Sequence, residues 1–472
     1  MKNKVYLIIK IVIAVLFAVL SGYLFYIVNK LDILPDKYMI PFIVGIVLLN
    51  IFGGICLYIK KFWSKILSII LYLLILLISV IGIRFGSDTL DFLDSAFSNR
   101  EAEVTTYNLI VLNTSELTLD KIKEVGYFNL DENNEEVLEI VSGKISVEFK
   151  EYEDLFTMYD EFDKGEVESL VIDQAYLDIL GESYVDIDNK IYIVDSFDIE
   201  KKVEIDYEEN VELKPLNIYL SGSDSRSNKI SNKSRSDVNM IVTINPNTHE
   251  ILLTSIPRDY YVQVHGKSGL KDKLTHAGIY GLDTSRKTLE DLFDIKIDYS
   301  VKIGFNAVVE LVDLVGGVTI NSDKAFDSYH MPGWRVKKGD NFMDGAKALA
   351  YSRERYAYRS GDRHRIKNQQ QVLAAVIDKL SSSTTLLTDY DKVLKSLNNF
   401  YVTDIPKGLI TQAVKTQLDD MSEWKIESQS VSGSDASKPT RTAPNSKRYV
   451  MIPYEKDVNN ASAKIKSLIN KK

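Results

Sequence analysis

Five short motifs in the C-terminal half of the chain place arginine side chains next to carboxylates. Arginine presents a planar fork of donors that binds phosphate oxygens bidentately, and it keeps its charge at physiological pH. Carboxylates among arginines are hard oxygen ligands of the kind that Mg²⁺ takes together with substrate phosphates. The motifs therefore predict a site for a polyanion such as pyrophosphate, with phosphoryl transfer as its chemistry. They are SGSDSR at 221–226, RSD at 235–237, PRD at 257–259, RER at 353–355 and GDRHR at 361–365.

Ordinary surface salt bridging is the simpler interpretation of any one of these motifs, because Asp and Arg pair readily. Five motifs at predicted loop positions favour a shared site instead. The sequence has no Walker loop, no GxSxG and no HExxH, and its single cysteine, Cys56, excludes a multi-cysteine zinc site. We interpret His276, which follows the third motif, as a packed or hydrogen-bonded loop residue.

The elements that must position the first three motifs are apolar strands. The segments Leu216–Leu220, Val238–Ile244 and Glu250–Ile256 have the composition of strands, and each begins or ends at a motif. Ligands gather at strand-end loops in open α/β sheets, so we expect these motifs to meet there. The GDRHR motif precedes the last of three predicted helices. These are Thr288–Phe293, Asn306–Val315 and Asn368–Leu380.

An acidic unit at residues 100–210 precedes this basic half. Residues 101–210 carry a net charge of -23, whereas residues 211–472 carry +9. Strands are predicted at Tyr107–Leu112 and Lys190–Val194, and helices at Thr118–Val125 and Tyr152–Lys164, which indicates a small α/β accessory domain. A strand followed by a helix is predicted at 169–179. The acids are interpreted as a solvated surface, with a docking surface for a basic partner as the alternative.

Three apolar runs at residues 11–28, 39–59 and 66–83 make residues 1–84 a membrane region. Each run is long enough, as a helix, to cross the hydrocarbon core. Lysines lie in the N-terminal segment before the first run and in the loop between the second and third runs. The positive-inside rule therefore places both segments in the cytoplasm. The C-terminal domains are then extracellular. The cytoplasmic segments have no room for a DNA-binding domain, and no nucleic-acid partner is expected.

The C-terminal half resembles the LytR–CpsA–Psr family, densely over 216–380 within a domain at 211–472. The matching stretches are SGSDSR at 221–226, RSD at 235–237, NPNTHEILLTSIPRD at 245–259, DKLTHAGIYG at 272–281, VGGV at 315–318, DGAKALAYSRER at 344–355 and GDRHRIKNQQQV at 361–372. The three spans and the acidic accessory domain are similar to the capsule-locus CpsA subgroup of Gram-positive bacteria. The resemblance implies an α/β fold, with an α/β/α catalytic domain around a central mixed sheet.

The resemblance also implies an activity. Family members move a glycopolymer from an undecaprenyl-pyrophosphate carrier to peptidoglycan, and for this subgroup the polymer would be capsular polysaccharide. The implied partners are this lipid-linked polysaccharide, the peptidoglycan acceptor, the membrane and other capsule-assembly proteins. The implied cofactor is Mg²⁺, with Mn²⁺ as the alternative ion. A membrane regulator of capsule expression and a polyprenyl-pyrophosphate phosphatase stay open as alternative functions.

The resemblance assigns roles to individual residues of this sequence. Asp224 and Asp237 match the family's metal carboxylates. Asp362 matches the acid beside the phosphate, a candidate for activating the acceptor hydroxyl, and it joins Arg258, Arg353 and Arg355 as the expected catalytic group. The expected pyrophosphate-binding residues are Arg235, Arg258, Arg353, Arg355, Arg365 and Gln369.

A polyprenyl chain needs an apolar tunnel beside these arginines, and one predicted helix could line it or simply pack in the core. Its apolar residues are Phe305, Val308, Val309, Leu311, Val312, Leu314 and Val315.

Overall fold

The structure is a computed structural model of the whole chain. It describes residues 2–98, 102–202, 212–223, 231–359, 361–382 and 401–472. The second half of the SGSDSR motif, including Asp224 and Arg226, lies outside these ranges.

The N-terminal region consists of three apolar helices, each long and apolar enough to cross a membrane. α1 and α3 contain their predicted runs and extend beyond them, whereas α2 starts before its run and ends one residue short of it, at Tyr58. Helices α1 and α3 pack closely, because a Cβ atom at Gly82 would lie 2.6 Å from Cδ1 of Leu24, and one at Gly86 would overlap Ile27. Small residues commonly permit such close contact between membrane helices. The bounds are α1, Lys2–Leu31; α2, Asp36–Tyr58; and α3, Phe62–Ser98.

The accessory unit is a five-stranded mixed sheet with helices, in the strand order β3-β2-β4-β1-β5. Its strands are β1, Ala102–Leu112; β2, Glu124–Phe128; β3, Glu148–Tyr152; β4, Ser169–Asp173; and β5, Ile191–Lys202. Its helices are α4, Asn134–Lys144; α5, Leu155–Asp163; α6, Gln174–Ser183; and α7, Ile187–Lys190. The predicted strands at 107–112 and 190–194, the helix at 152–164 and the strand–helix pair at 169–179 are confirmed within a few residues.

The predicted helix at Thr118–Val125 is wrong. A single 3₁₀ turn occupies Leu119–Lys121, and β2 then begins at Glu124. β2 pairs in parallel with both β3 and β4, and Val125 is fully buried in the sheet. This pairing outweighs the local helical pattern, because a buried position between two strands gains more than one short helical turn.

The C-terminal domain is built on a six-stranded mixed sheet in the order β16-β11-β6-β7-β8-β17. Its strands are β6, Leu216–Ser223; β7, Val238–Asn245; β8, Glu250–Ile256; β11, Tyr299–Gly304; β16, Tyr401–Thr403; and β17, Lys425–Ser430. Short strand pairs flank the sheet. They are β9, Tyr261–Val262, with β10, Asp272–Lys273; β12, Val318–Ser322, with β15, Gly339–Met343; β13, Phe326–Asp327, with β14, Arg335–Val336; and β18, Gly433–Thr440, with β19, Ala443–Pro453.

Helices cover both faces of this sheet, as the α/β/α prediction requires. One face carries Ile241 and Leu252, which pack in a cluster with the helices at Leu282–Phe293 and Glu455–Ile469. The opposite face carries Met240 and Leu253, which pack with α12. The helices are α8, Leu274–Ala277; α9, Leu282–Phe293; α10, Phe305–Leu314; α11, Gly345–Arg353; α12, Asp362–Ser382; α13, Lys407–Asp420; and α14, Glu455–Ile469.

The apolar residues in and just after helix α10, which were considered for a tunnel wall, fall into two groups by their burial. Val312 and Val315 are buried in a core shared with α11 and α12, so they are packing residues. The remaining five are only half-buried in the structure, although they are apolar. These are Phe305, Val308, Val309, Leu311 and Leu314.

Helix α13 contacts the ends of the apolar N-terminal helices. Val414 and Leu418 pack in one cluster with Leu31 and Leu90, and Nζ of Lys415 lies 2.7 Å from Oδ1 of Asp32. The C-terminal domain therefore rests directly on one end of the α1–α3 bundle.

The loop that carries the RSD motif depends on Gly278. The backbone N–H of Ser234 donates to the carbonyl of Gly278, and the N–H of Ser236 donates to that of Thr275. A Cβ atom at 278 would lie 2.5 Å from Oγ of Ser236 and closer still to the carbonyl oxygen of Ser234.

We expect Gly278→Ala to lower the free energy of unfolding by about 1–3 kcal/mol, because the loop must shift to admit a methyl group. Thermal unfolding of the purified full chain in detergent measures the effect. Gly143→Ala is the control, since position 143 is an exposed helical site with nothing within 4 Å of a Cβ atom. Equal stability of the two variants would contradict this account of Gly278.

Candidate active site

Asp237 is the buried carboxylate around which the arginines gather. It precedes β7, and its backbone N–H donates to the carbonyl of Gly222 at 2.8 Å. Its Oδ1 accepts a hydrogen bond of 2.5 Å from Nη1 of Arg258, and its Oδ2 lies 3.8 Å from Nη2 of Arg235. Burial alone would raise the pKa of Asp237, but Arg235 and Arg258 hold it below its ordinary value. Asp237 is therefore an anion at neutral pH.

Arg258 follows β8, and both its backbone and its guanidinium group have bonding partners. Its carbonyl accepts from the N–H of Thr275 at 2.8 Å, which ties the PRD motif to the segment before His276. Burial opposes the charge of its guanidinium, but Asp237 and Glu182 outweigh burial and raise its pKa. Within the part of the chain that the structure describes, its Nε is buried and has no hydrogen-bond partner, with Oδ2 of Asp259 at 3.8 Å. A donor in that state is available to an incoming oxygen ligand.

Arg365 joins this group from the first turns of α12. Its Nη2 lies 2.6 Å from Oδ1 of Asp362, one helical turn earlier. Burial lowers the pKa of Arg365, and the nearby charges of Arg258 and Arg355 lower it further, against the opposing effect of Asp362 and Asp237. Three arginines thus lie close enough to repel one another, and an anionic ligand would relieve that repulsion.

Four of the five residues of the GDRHR motif lie on α12 itself and not in a loop before it. The predicted helix at Asn368–Leu380 is confirmed, but the helix begins six residues earlier, at Asp362. An acid in the first turn is stabilised by the positive end of the helix dipole, which favours this earlier start. One consequence is that Arg365 and Gln369 lie on the same face, four residues apart. Gln369 is half-buried there.

The RER motif is organised by its carboxylate. Glu354 is fully buried, and it accepts hydrogen bonds from the backbone N–H groups of Tyr329, Tyr356 and Ala357 at 2.9, 2.9 and 3.2 Å. Because its carboxylate oxygens accept these three hydrogen bonds, Glu354 stabilises the backbone of Tyr329, Tyr356 and Ala357. Arg353 stacks over the ring of Phe305 at 5.0 Å, and Arg355 stacks over Tyr356 at 4.9 Å.

The structure thus brings most of the predicted residues together but not all. Contacts or charge interactions link Arg235, Arg258, Arg355, Arg365, Asp237 and Asp362. Arg363, in the same motif as Arg365, instead donates to the carbonyl of Gly433 and to Asp435. Asp224, the second expected metal ligand, lies outside the described residues.

Glu182 is an active-site neighbour that the sequence analysis missed. It lies near the end of α6 in the accessory unit, and its Oε1 is 2.5 Å from Nη1 of Arg235 and 2.9 Å from Nη1 of Arg258. No local pattern distinguishes it from the other acids of residues 101–210. The accessory unit is held in place by further contacts, such as the Asn445 N–H to Asp154 and Arg448 over the ring of Phe156.

Two other buried groups support the arginine loops. Lys302 is fully buried on β11, and its Nζ donates to the carbonyls of Asn232 and Ser234 at 3.0 and 2.7 Å. His276 bonds Asp272 through Nδ1 at 2.7 Å, and Asp272 also accepts from the N–H of Thr442. His276 is therefore the packed, hydrogen-bonded residue that the sequence predicted.

Asp237 has the chemistry to hold a divalent cation. Mg²⁺ usually takes one or two carboxylates and completes its shell with phosphate oxygens and water. Asp237 offers an ionised, buried carboxylate beside the arginines, so the donor set fits such an ion in part. Among the described residues, no group of three or more His, Cys, Asp or Glu side chains is arranged for a metal.

Comparison with known proteins identifies the class to which this fold and site belong. The LytR_cpsA_psr family model matches residues 183–466, and the chain belongs to this family. A Bacillus cereus protein named polyisoprenyl-teichoic acid–peptidoglycan teichoic acid transferase TagU is 36% identical over 210 residues, or 44% of this chain. The TagU of Bacillus licheniformis is 33% identical over 217 residues, or 45% of this chain. The chain spans 63% of the length of both relatives.

Among solved structures, TagV of B. subtilis superposes with a TM-score of 0.47 at 27% identity. The match covers 55% of this chain and 99% of TagV.

We expect Glu182→Gln to strengthen the binding of inorganic pyrophosphate to the full chain about three- to tenfold. The substitution removes a negative charge that competes with phosphate for Arg235 and Arg258, and tenfold corresponds to about 1.4 kcal/mol. Isothermal titration calorimetry in detergent measures the dissociation constant. Glu161→Gln is the control, because Glu161 pairs with Lys150 within the accessory unit. Weaker binding by Glu182→Gln would show that Glu182 positions the arginines and does not compete with the ligand.

Proposed function

We propose that the chain transfers a glycopolymer from an undecaprenyl-pyrophosphate carrier to peptidoglycan and joins the two by a phosphodiester. The observation that carries the proposal is the convergence of Arg235, Arg258 and Arg365 on one buried carboxylate. A lipid-linked diphosphate brings two negative charges, and clustered guanidinium groups bind its oxygens bidentately. Family membership and the names of the TagU relatives support the same class of reaction.

In the proposed mechanism, the arginines hold the diphosphate and neutralise the charge that grows on the leaving phosphate. A hydroxyl of the acceptor glycan attacks the phosphorus nearest the polymer sugar. The bond between that phosphorus and the bridging oxygen breaks, and undecaprenyl phosphate leaves with the electron pair. The hydroxyl proton passes to Asp362, which lies beside Arg365. Positioning and charge stabilisation of this kind are the main protein contributions to phosphoryl transfer.

Asp237 and Asp224 are the residues proposed to hold Mg²⁺, or Mn²⁺ in its place. Such an ion would add positive charge where the diphosphate binds. With or without such an ion, Asp237 contributes to diphosphate binding, because its charge keeps Arg258 in place.

The proposed location is the outer face of the cell membrane. The lysine distribution favours a cytoplasmic N-terminus, and the odd number of apolar helices then places the catalytic domain outside. The contact of α13 with the ends of α1 and α3 supports this location, because it holds the arginine site close to the membrane that carries the lipid-linked donor. Anchoring raises the effective concentration of enzyme and donor for each other.

The proposed polymer is capsular polysaccharide. The combination of three apolar helices with an acidic accessory domain supports this choice, since it resembles the capsule-locus subgroup. The TagU relatives are named for teichoic acid, which makes that polymer the natural competitor in a transfer assay. Other capsule-assembly proteins are the expected partners.

We expect Arg258→Ala to reduce transfer of polymer to peptidoglycan by about a hundredfold or more, because one charged donor to the reacting phosphates is lost. Transfer is measured with the purified full chain, a lipid-linked polysaccharide and peptidoglycan fragments. Arg335→Ala is the control, since Arg335 is an exposed arginine that pairs with Asp327. Full transfer by Arg258→Ala would disprove the site.

The same assay separates the alternative functions. Release of phosphate without any dependence on acceptor would indicate a polyprenyl-pyrophosphate phosphatase. Normal polymer attachment in cells that carry Arg258→Ala, together with altered transcription of capsule genes, would indicate a regulator.

A further inference from the structure

An exposed aromatic group lies next to the arginines of the RER motif. Tyr329 and Tyr356 are 63% and 55% exposed, and their ring centroids are 4.3 Å apart. The ring of His330 lies 5.3 Å from Tyr329 and 6.2 Å from Tyr356. Single exposed tyrosines are common on protein surfaces, but three adjoining rings make a continuous surface. We refer to Tyr329, His330 and Tyr356 as the aromatic platform.

The buried carboxylate of Glu354 holds the backbone of the aromatic platform in place. Glu354 accepts from the backbone N–H groups of both Tyr329 and Tyr356, so one carboxylate fixes the two loops that carry the rings. A buried carboxylate is costly unless its oxygens are bonded, and here three backbone donors satisfy it. The rings themselves bury little surface, so core packing does not account for this arrangement. Fixed supports beneath exposed groups are typical of preorganised binding sites.

The platform is also joined to Arg355. Nη2 of Arg355 donates to the hydroxyl of Tyr356 at 2.7 Å, and its guanidinium stacks on the same ring. Two residues earlier, Arg353 stacks on Phe305, which begins the apolar helix α10. These contacts therefore run in sequence from the apolar helix α10, through Arg353 and Arg355, to the exposed tyrosines. A lipid-linked saccharide has the same order of apolar chain, diphosphate and sugar.

We propose that the aromatic platform binds the first sugar of the lipid-linked donor, with a face of the pyranose ring stacked on Tyr329 and Tyr356. Pyranose rings present apolar C–H faces and hydroxyl edges, and tyrosine offers an apolar ring with a polar tip. This inference rests on the proposed function, because it places the diphosphate at Arg355.

A neutral occupant fits the platform better than a second phosphate does. Burial lowers the pKa of His330, and the neighbouring charge of Arg353 lowers it further. His330 is therefore uncharged at neutral pH, and the three rings together form an uncharged surface beside the arginines. Phenol hydroxyls exchange hydrogen bonds with sugar hydroxyls, whereas Nε2 of His330 is buried in the structure.

The test compares two probes on the full chain in detergent. One is farnesyl diphosphate, and the other is farnesyl diphosphate that carries a single N-acetylglucosamine. We expect the unaltered chain to bind the sugar-bearing probe about tenfold more tightly, and the double variant Tyr329→Ala with Tyr356→Ala to lose this difference. Farnesyl diphosphate itself is expected to bind less tightly to this variant, because Tyr356→Ala removes the hydroxyl and ring that Arg355 contacts. The ratio of the two affinities is therefore the readout.

Two further variants sharpen the result. Tyr192→Ala, at a 59% exposed tyrosine of the accessory strand β5, leaves both affinities unchanged. Tyr329→Phe with Tyr356→Phe retains most of the sugar-dependent difference, because the stacking surface remains. A sugar-dependent loss confined to the alanine pair supports the platform as a sugar site.

Several outcomes overturn the proposal. Equal weakening of both probes would mean that the tyrosines only support Arg355. Unchanged donor binding with a raised KM for the peptidoglycan acceptor would assign the platform to the acceptor. No effect on either substrate would leave the rings without a binding role. Failure of the unaltered chain to bind farnesyl diphosphate would instead disprove the proposed function, and this inference with it.

Discussion

Crowding of positive charge in a mostly buried site is the constraint on which the rest of the C-terminal domain depends. Arg235, Arg258 and Arg365 are each less than one-fifth exposed, and like charges at such positions repel strongly. Asp237 compensates two of them directly, and the chain must therefore hold this carboxylate in a fixed place. Lys302, Gly278 and the Thr275–Arg258 backbone bond all stabilise the loops on either side of it.

The carboxylates of the arginine motifs have different roles, although they look alike in the sequence. Asp237 is a charge partner, Glu354 braces a loop through backbone N–H groups, and Asp362 begins a helix and pairs with Arg365. Glu182 belongs to the accessory unit and forms ion pairs with the same two arginines as Asp237. The acidic accessory unit thus has a specific contact with the active site, and its charge is not only a solvated surface.

The sequence predicted those features that depend on local pattern. The apolar helices, the strands at 216–220, 238–244 and 250–256, and the α/β class with its family are confirmed, because hydropathy, strand composition and motif spacing are local signals. The helix at 118–125 was wrong because parallel pairing with two strands decides that segment. Glu182 and Lys302 were not predicted, because their roles depend on contacts between residues far apart in the sequence. Glu182 contacts Arg235, 53 positions away, and Lys302 contacts Ser234, 68 positions away. The aromatic platform needs three-dimensional placement as well, since Tyr329 and Tyr356 lie in different loops.

The central claim is that the arginine cluster around Asp237 binds a lipid-linked diphosphate. The most direct measurement is an experimental structure of the full chain with a polyprenyl diphosphate bound. We expect both phosphates to lie within hydrogen-bond distance of the guanidinium groups of Arg258 and Arg365, and Glu182 to have released its hydrogen bond with Arg258. A diphosphate bound elsewhere, with Arg258 still paired to Glu182, would contradict this claim.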